Sequence, residues 1–367
     1  MKPHRLYIIM CIFSLLFLAG CRDEEAVQSA ESKRTITVNL GIAMSRVAKE
    51  DQVVYGDAND MKVWLFDQTG RCVQYIPVKD PQFTGRDITG DPVESVSTEF
   101  DVTDVESLQF RVLLNTDGLN DANGNPLVLG GETKIDEIDG LTFQFGTTMP
   151  DGDNKVPMYG KEKESITIDN KREYNVDIEL VRAVGKLEVL FTKESEDSYL
   201  KINKVEITQG IPTKGYLAEV SDNDDRSYDK GSIMLFESEQ EEEGVIDVFL
   251  PQSEANYGDF SLHADKFQSL VQEYLLENPN GKEWNDEKHD WTYPNVPDGE
   301  TYCYVLRIDY QTLEGENPKS KKIYLPIIER NTWNKIFVRV KRGEIDTEFE
   351  LLVEPWHEID IEVPPFV

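Results

Sequence analysis

Apolar and polar residues alternate strictly along many short segments of this chain. Between residues 35 and 44 the larger apolar side chains fall on one face of an extended chain, and threonine and asparagine occupy the other face. A period of two in segments rich in Val, Ile, Phe and Tyr predicts antiparallel strands with one buried face. The same alternation occurs at residues 61–65, 108–114, 178–180, 187–191, 302–310, 336–340 and 349–353.

Turn sequences separate these segments and indicate the fold class. Asp-Gln-Thr-Gly at residues 67–70, Asn-Thr-Asp-Gly at 115–118 and Asn-Gly at 123–124 are typical of tight turns. Strands do not alternate with long helices, so the pattern predicts an all-β fold built from sandwiches. The length of 367 residues suggests two tandem domains. We place their boundary near Arg182, with an N-terminal sandwich over residues 35–182 and a C-terminal sandwich over residues 183–367.

Two segments are predicted to be minor helical insertions beside the sheets. One is a short turn through Ile135 and Ile138, for which Thr133 would be the cap. The other should end at Asn-Pro-Asn-Gly, residues 278–281. Its apolar residues follow the i, i+3, i+4, i+7, i+8 spacing of an amphipathic helix: Phe267, Leu270, Val271, Tyr274 and Leu275.

The first residues have the pattern of an export signal. Lys2 and Arg5 precede an apolar run over residues 6–18, which is too short for a comfortable membrane span. The run ends in Leu-Ala-Gly before Cys21, the pattern of a cysteine that is acylated after signal cleavage. We therefore predict a lipoprotein signal peptide over residues 1–20, lipid on Cys21, and an acidic, polar tether over residues 21–34. An ordinary signal peptide that happens to contain Cys21 is the alternative.

Charge and cysteine content narrow the function classes. The formal net charge of −32 repels nucleic acid and anionic lipid, which excludes nucleic-acid binding as a main role. Cys72 and Cys303 lie far apart on strand-like segments, so we expect two buried free thiols rather than a disulfide.

Motifs of catalysis and metal binding are missing from the sequence. The segment after His357 lacks the second histidine of a zinc-protease motif, and no nucleophile elbow, phosphate-binding loop or dinucleotide fingerprint occurs. We therefore predict no catalytic residue, no metal site and no cofactor. Residues 121–132 partly match a calcium-binding loop, but we favour a hairpin loop because Pro126 stands where the calcium loop needs glycine. Its ligand positions would be Asp121, Asn123, Asn125 and Glu132.

Five segments, taken in order, match the pattern of a known family. They are Met-Lys-Val-Trp-Leu-Phe-Asp at residues 61–67, Phe-Arg-Val-Leu-Leu-Asn-Thr at 110–116, residues 180–189, Glu-Arg-Asn at 329–331 with the strand after it, and residues 349–353 with Trp356. In this order they resemble segments of the fimbrillin (type V pilin, FimA-like) family of Bacteroidetes. The first is similar to the family's early strand and turn, the second to its strand followed by Asn-Thr, the third to the segment that joins its two domains, and the last two to its last strands.

The resemblance implies two transthyretin-like β-sandwich domains, export as a lipoprotein, and polymerisation by strand exchange. In that scheme an arginine-specific protease removes the first strand, and the C-terminal segment of another subunit fills the vacated groove. The acidic residues after Cys21 resemble the tag that sends Bacteroidetes lipoproteins to the outer face of the outer membrane. The partners implied are other pilin subunits, the outer membrane through the lipid on Cys21, the protease, and a receptor on a host or bacterial surface.

The sequence supplies candidates for each part of this scheme. Arg46 directly follows the first strand and is the predicted cleavage site, with Arg34 as an alternative that would remove only the tether. The donor strand would present Ile359, Ile361 and Val363, and Pro364 and Pro365 limit its length. The removable strand would present one apolar face: Ile36, Val38, Leu40, Ile42 and Met44.

Three alternatives stay open at this level. Residues 45–47 can instead be an ordinary loop after a permanent strand. The chain can equally be a non-cleaved anchor or tip subunit, because such subunits share the fold. A glycan-binding surface lipoprotein is the rival from another class, since Trp284, Trp291 and Tyr293 could stack on sugars; burial of these aromatics against the predicted neighbouring helix is the competing interpretation.

Overall fold

The computed structural model describes residues 35–44, 60–81, 85–86, 92–102, 104–121, 123–144, 156–219, 227–255, 260–280, 283–285, 290–292, 302–341 and 348–355. Within these ranges the chain is mostly β-structure, with one short α-helix, α1 (Ile135–Asp139), and one 3-10 helix (Phe260–Lys266). None of the helices described is long and apolar enough to cross a membrane. The predicted all-β fold with minor helical insertions is confirmed.

Nine of the first ten strands form one sheet that closes into a sandwich-like unit. The ten strands are β1 (Thr35–Met44), β2 (Asp60–Asp67), β3 (Cys72–Lys79), β4 (Gly85–Arg86), β5 (Pro92–Asp101), β6 (Ser107–Leu114), β7 (Thr142–Phe143), β8 (Met158–Lys161), β9 (Ile166–Thr167) and β10 (Glu173–Arg182). The sheet order is β3-β2-β6-β8-β10-β1-β5-β4, with β9 paired to β6, and β7 lies outside this sheet. Strand β10 connects the two halves of the sheet, because residues 173–180 pair with β1 whereas Val181 and Arg182 pair with β8. One hydrophobic core collects side chains from both halves, including Val63, Phe110 and Ile178.

Eight of the later strands form two four-stranded sheets around a second core. The later strands are β11 (Val184–Lys193), β12 (Lys201–Ile207), β13 (Ile211–Pro212), β14 (Gly215–Tyr216), β15 (Tyr228–Asp229), β16 (Ile233–Glu237), β17 (Gln268–Leu276), β18 (Glu283–Asn285), β19 (Asp290–Thr292), β20 (Val305–Gln311), β21 (Lys319–Tyr324), β22 (Thr332–Val340) and β23 (Glu348–Pro355). The orders of the two sheets are β17-β11-β22-β23 and β16-β12-β20-β21. Alternate residues of the two sheets, such as Leu187, Ile308 and Ile336, fill this core.

A short segment around β14 joins the two parts of the chain. Strand β14 pairs with β7, and Leu217 lies in the first core although it follows the boundary expected near Arg182. Arg330 fixes this segment from the other side: its Nη1 donates to the carbonyl oxygen of Leu217 at 3.0 Å, and its Nη2 donates to that of Tyr216 at 3.2 Å. Gly215 is needed at the contact, since a Cβ there would lie 2.7 Å from Phe143 Cε1.

The helix predicted over Phe267–Leu275 is wrong. The segment is strand β17, preceded by the 3-10 helix, and it pairs antiparallel with β11. The register shifts opposite Val189 and Leu190, which leaves Leu270 as the extra residue of a bulge. Because both faces of the strand contact buried groups and the bulge interrupts the alternation, the apolar spacing imitated a helix. Val271 and Leu275 face the second core, whereas Tyr274 belongs to the first.

Two other local predictions agree with the structure. The turn through Ile135 and Ile138 is α1, although Lys134 rather than Thr133 is its N-cap residue. Asn120 and Pro126 form a β-bridge across a tight loop, as a hairpin loop requires.

The prediction of two buried free thiols is correct for Cys303 and wrong in part for Cys72. Both cysteines are free thiols and Cys303 is buried, but Cys72 is only half-buried because it opens β3, the edge strand of its sheet.

Candidate functional site

Strand β1 is the candidate functional element, and it is a central strand rather than an edge. It runs parallel to β10 on one side and antiparallel to β5 on the other. Its ladder opposite β10 begins where the Thr37 N–H donates to the carbonyl oxygen of Arg172 at 2.8 Å. We call the space between β5 and β10 that β1 occupies the β1 groove. Since both edges of β1 are paired, emptying this groove would expose unpaired backbone groups on β5 and on β10.

The four inward side chains of β1 that the structure describes lie in the core. Ile36, Val38 and Ile42 have no solvent exposure, and Leu40 has 1%. The neighbours at the same register are also buried: Val96 on β5 and the four alternate apolar residues of β10, Tyr174, Val176, Ile178 and Leu180. The inward face that the alternation predicted is thus in place for four of its five residues. The backbone of Met44 continues the strand, but its side chain lies outside the described residues.

The outward face of β1 is held by polar side chains. Thr35 Oγ1 donates to Asp101 Oδ1 at 2.9 Å, and Thr37 Oγ1 donates to Glu99 Oε1 at 3.4 Å. Asn39 Nδ2 donates to Glu173 Oε1 at 2.7 Å and to the Oδ1 of Asn175 at 3.1 Å. These hydrogen bonds are solvent-exposed, so each adds little to stability, but together they fix the lateral position of β1 between its neighbours.

A tight turn before β10 prepares the start of the groove. The backbone N–H of Lys171 and the hydroxyl of Tyr174 both donate to Asp169 Oδ1, at 2.8 and 2.9 Å. These hydrogen bonds lower the pKa of Asp169, the bond from Lys171 contributing most. The turn thereby directs the carbonyl of Arg172 at the N–H of Thr37.

The remaining residues predicted for export, processing and strand donation lie outside the described residues. They are Cys21, Arg34, Arg46, Ile359, Ile361 and Val363. The structure places their described neighbours: β1 ends at Met44, and the next described residue, Asp60, opens β2. Strand β23 pairs antiparallel with β22 and ends at Pro355.

A second cluster of ionisable side chains stabilises α1 against the sheet. Arg111 forms a bidentate pair with Asp139, at 2.6 Å (Nε to Oδ1) and 2.8 Å (Nη2 to Oδ2), and Tyr159 donates to the same carboxylate at 2.8 Å. Desolvation raises the pKa of Asp139, but the hydrogen bonds from Arg111 and Tyr159 outweigh it, so the net pKa is lowered. Burial, the largest effect, raises the pKa of the Tyr159 hydroxyl. The charges of Arg111 and Asp139 therefore neutralise each other, and the role of this cluster is to hold the end of α1 on the sheet.

The calcium-loop candidate uses its carboxylate locally. Asp121 Oδ1 accepts the backbone N–H groups of Asn123 and Asn125, each at 2.8 Å. Within the described ranges no three His, Cys, Asp or Glu side chains are grouped to hold a metal ion. The aromatic candidates for sugar stacking, Trp284 and Trp291, are paired across the β18–β19 hairpin. The helix against which they were expected to pack is strand β17.

The polar residues beside β1 were not predicted from the sequence. Strand β5 was not among the predicted strands, although Val96, Thr98 and Phe100 alternate with Ser and Glu along it. Reading the polar residues of that alternation as an outward face would have found Glu99 and Asp101. Their pairing with β1 could not be found, since about sixty residues separate the partners.

Comparisons with known proteins support the fold. No family model matches the chain, and no curated protein matches its sequence. Among solved structures, a tip fimbrial protein from Porphyromonas gingivalis with a C-terminal truncation is similar over 88% of this chain and 100% of its own, with 11% identity and a TM-score of 0.50. A fimbrial protein from Bacteroides vulgatus is similar over 87% of this chain and 99% of its own, with 12% identity and a TM-score of 0.50. The resemblance to fimbrillins that the sequence predicted is confirmed at the level of the fold.

Proposed function

We propose that this chain is a structural subunit of a surface fimbria that supports adhesion, exported as a lipoprotein and assembled by proteolysis-triggered strand exchange. The observation that carries the proposal is the position of β1. It is the first described strand, it lies inside a sheet with a paired neighbour on each side, and the segment after it contains Arg46. The fold shared with fimbrial proteins gives this arrangement its context.

The burial of β1 explains why an emptied groove would take up another strand. Four of its side chains have at most 1% exposure. Full burial of such side chains is worth about 1.5–3 kcal/mol each, so the four contribute roughly 6–12 kcal/mol. A whole domain is stable by about 5–15 kcal/mol, so the sandwich without β1 would be close to unfolding. A replacement strand restores both the buried surface and the backbone ladder.

The proposed path begins at the membrane. Lipid on Cys21 anchors the precursor in the outer membrane, with residues 21–34 as the tether and the folded part at the cell surface. Cleavage after Arg46 separates β1 and the lipid from a chain that begins at Val47. The groove then accepts a strand from another pilin. The strand proposed as this chain's own donor carries Ile359, Ile361 and Val363. A non-cleaved anchor or tip subunit is the alternative role within the same system.

Substitution of the proposed cleavage site tests this function. Arg46→Ala should leave the chain as a lipid-bearing monomer with β1 in its groove, and fimbriae that depend on this subunit should be absent in negative-stain microscopy. Arg34→Ala is the matched control, because it removes an arginine before β1 and should leave assembly unchanged. Normal assembly of Arg46→Ala would contradict cleavage-triggered exchange and leave the non-cleaved alternative.

A further inference from the structure

The outward rim of the β1 groove is acidic, whereas the outward positions of β1 carry no charge. Beside β1 the exposed outward residues of β10 include Glu173, Asp177 and Glu179, and those of β5 include Glu99 and Asp101. Among the outward positions of these three strands whose side chains are described, none is Lys or Arg. The strand that fills the groove therefore lies between two rows of negative charge.

Strand β1 suits this rim because its outward side chains donate hydrogen bonds. Thr35, Thr37 and Asn39 each donate to a carboxylate of the rim, at 2.9, 3.4 and 2.7 Å. An ionised carboxylate has no proton to donate, so an acidic side chain at any of these positions would lose the bond. It would also meet a like charge across the strand pair, at about 4.5–5.5 Å between Cβ atoms, an arrangement that destabilises a sheet.

The strand proposed as this chain's own donor has the opposite character. With Ile359, Ile361 and Val363 directed inward, the alternate residues Glu358, Asp360 and Glu362 take the outward positions. Turning the strand over would bury three carboxylates in an apolar core, which costs far more. In the first orientation the acidic residues stand where the groove requires hydrogen-bond donors, and in the second they stand where it requires apolar groups.

We propose that the β1 groove discriminates against this chain's own segment 358–363 and takes its donor strand from a different subunit. That donor has the inward apolar alternation of β1, and its outward positions carry neutral hydrogen-bond donors or basic residues. This inference rests on the proposed function, because it concerns the strand that replaces β1. The chain is then a subunit of mixed polymers, and its β1 groove holds a strand from a different subunit rather than from another copy of this chain.

A peptide-exchange experiment separates this inference from the proposed function. The full chain carries Cys21→Ser and a site for a sequence-specific protease in place of residues 45–50, so that release of β1 does not depend on Arg46. After cleavage, three labelled peptides are titrated: residues 35–44, residues 356–367, and residues 356–367 with Glu358→Gln, Asp360→Asn and Glu362→Gln. Binding is followed by fluorescence polarisation at low salt and in 1 M NaCl.

We expect the peptide of residues 35–44 to bind, and the neutralised tail peptide to bind at least about tenfold more tightly than the native one, a difference of about 1.4 kcal/mol. In 1 M NaCl, where charges are screened beyond about 3 Å, the difference should shrink. A chain with Glu99→Gln and Glu173→Gln should bind the native tail peptide more tightly than the unsubstituted chain does. These carboxylates are exposed, so the change should not prevent folding.

Three results would overturn the inference. Equal binding of the native and neutralised tails shows that the rim does not discriminate, and leaves the proposed function standing. Binding of residues 35–44 with no binding of either tail shows that the obstacle is not the charge. Failure of residues 35–44 to bind contradicts an exchangeable β1, and the proposed function falls together with the inference.

Discussion

Leu40→Ala is the substitution that probes the packing of β1 most directly. Leu40 lies in the middle of the strand, has 1% exposure, and sits between Val176 of β10 and Val96 of β5 in the register. Replacement of a buried leucine by alanine costs about 2–5 kcal/mol, because transfer free energy is lost and a cavity remains. After cleavage the substitution should weaken the binding of β1 to its groove by the same free energy, since the inward side chains of β1 enter the same core in the intact and in the cleaved chain.

The two forms give two measurements. In the intact chain, hydrogen exchange of the amides of β5 and β10 should report an opening free energy lower by about 2–5 kcal/mol. In the cleaved chain, β1 should bind at least about thirtyfold more weakly, as about 2 kcal/mol requires. Thr37→Ala is the matched control: it is on the outward face of the same strand, loses one hydrogen bond of 3.4 Å, and should cost less than about 1 kcal/mol. Equal effects of the two substitutions would refute the one-sided burial of β1.

Three further predictions concern other parts of the molecule. Cys21→Ser should abolish incorporation of a fatty-acid analogue and release the protein from the membrane fraction, and unsubstituted protein that takes up no label would contradict lipidation. Burial raises the pKa of Asp67, but hydrogen bonds from Thr69 and Arg71 lower it by more, so the net pKa lies below the ordinary 3.8. That stabilisation of the fold is present above the ordinary pKa and is lost as the pH falls through the lowered one. Asp67→Asn should therefore lower the free energy of unfolding by about 1–3 kcal/mol at neutral pH and weaken its dependence on pH in acid. An unchanged dependence on pH in acid would contradict this role of Asp67. Arg330→Met should lower the free energy of unfolding by about 2–4 kcal/mol, because a partly buried pair with Glu277 and two hydrogen bonds to the β14 segment are lost. Lys171→Met, which removes an exposed pair with Asp169, should change it by less than about 1 kcal/mol, and similar costs for both would disprove the proposed contact.

The boundaries of β1 could be predicted from the sequence because its environment is simple. One face of the strand contacts the core and the other contacts solvent, so the alternation between residues 35 and 44 records its burial directly. Strand β17 could not be recognised in this way. Its bulge at Leu270 and its contacts with two cores produce a spacing of three and four residues, and only the pairing with β11 distinguishes that pattern from a helix.

Which polar residues become hydrogen-bond partners of β1 depends on which strands are neighbours in space, and the sequence alone does not show this. Asn39 and Glu173 are 134 residues apart and meet only because β1 and β10 are neighbours in parallel register. The pair of Arg111 and Asp139 joins two elements in the same way. Alternation can identify which face of a strand is outward, but the choice of neighbouring strand is a property of the whole sheet.

Whether β1 is removed before assembly is decided by mass spectrometry of the first residue of this chain in assembled surface fimbriae. Fimbriae are sheared from cells and purified, and the chain's terminal peptide is identified after digestion with a protease that does not cleave at arginine. If cleavage after Arg46 precedes assembly, the chain in the fimbriae begins at Val47, without β1 and without lipid. A chain in the fimbriae that still contains residues 35–44, or that still begins at a lipid-bearing Cys21, would contradict cleavage before assembly.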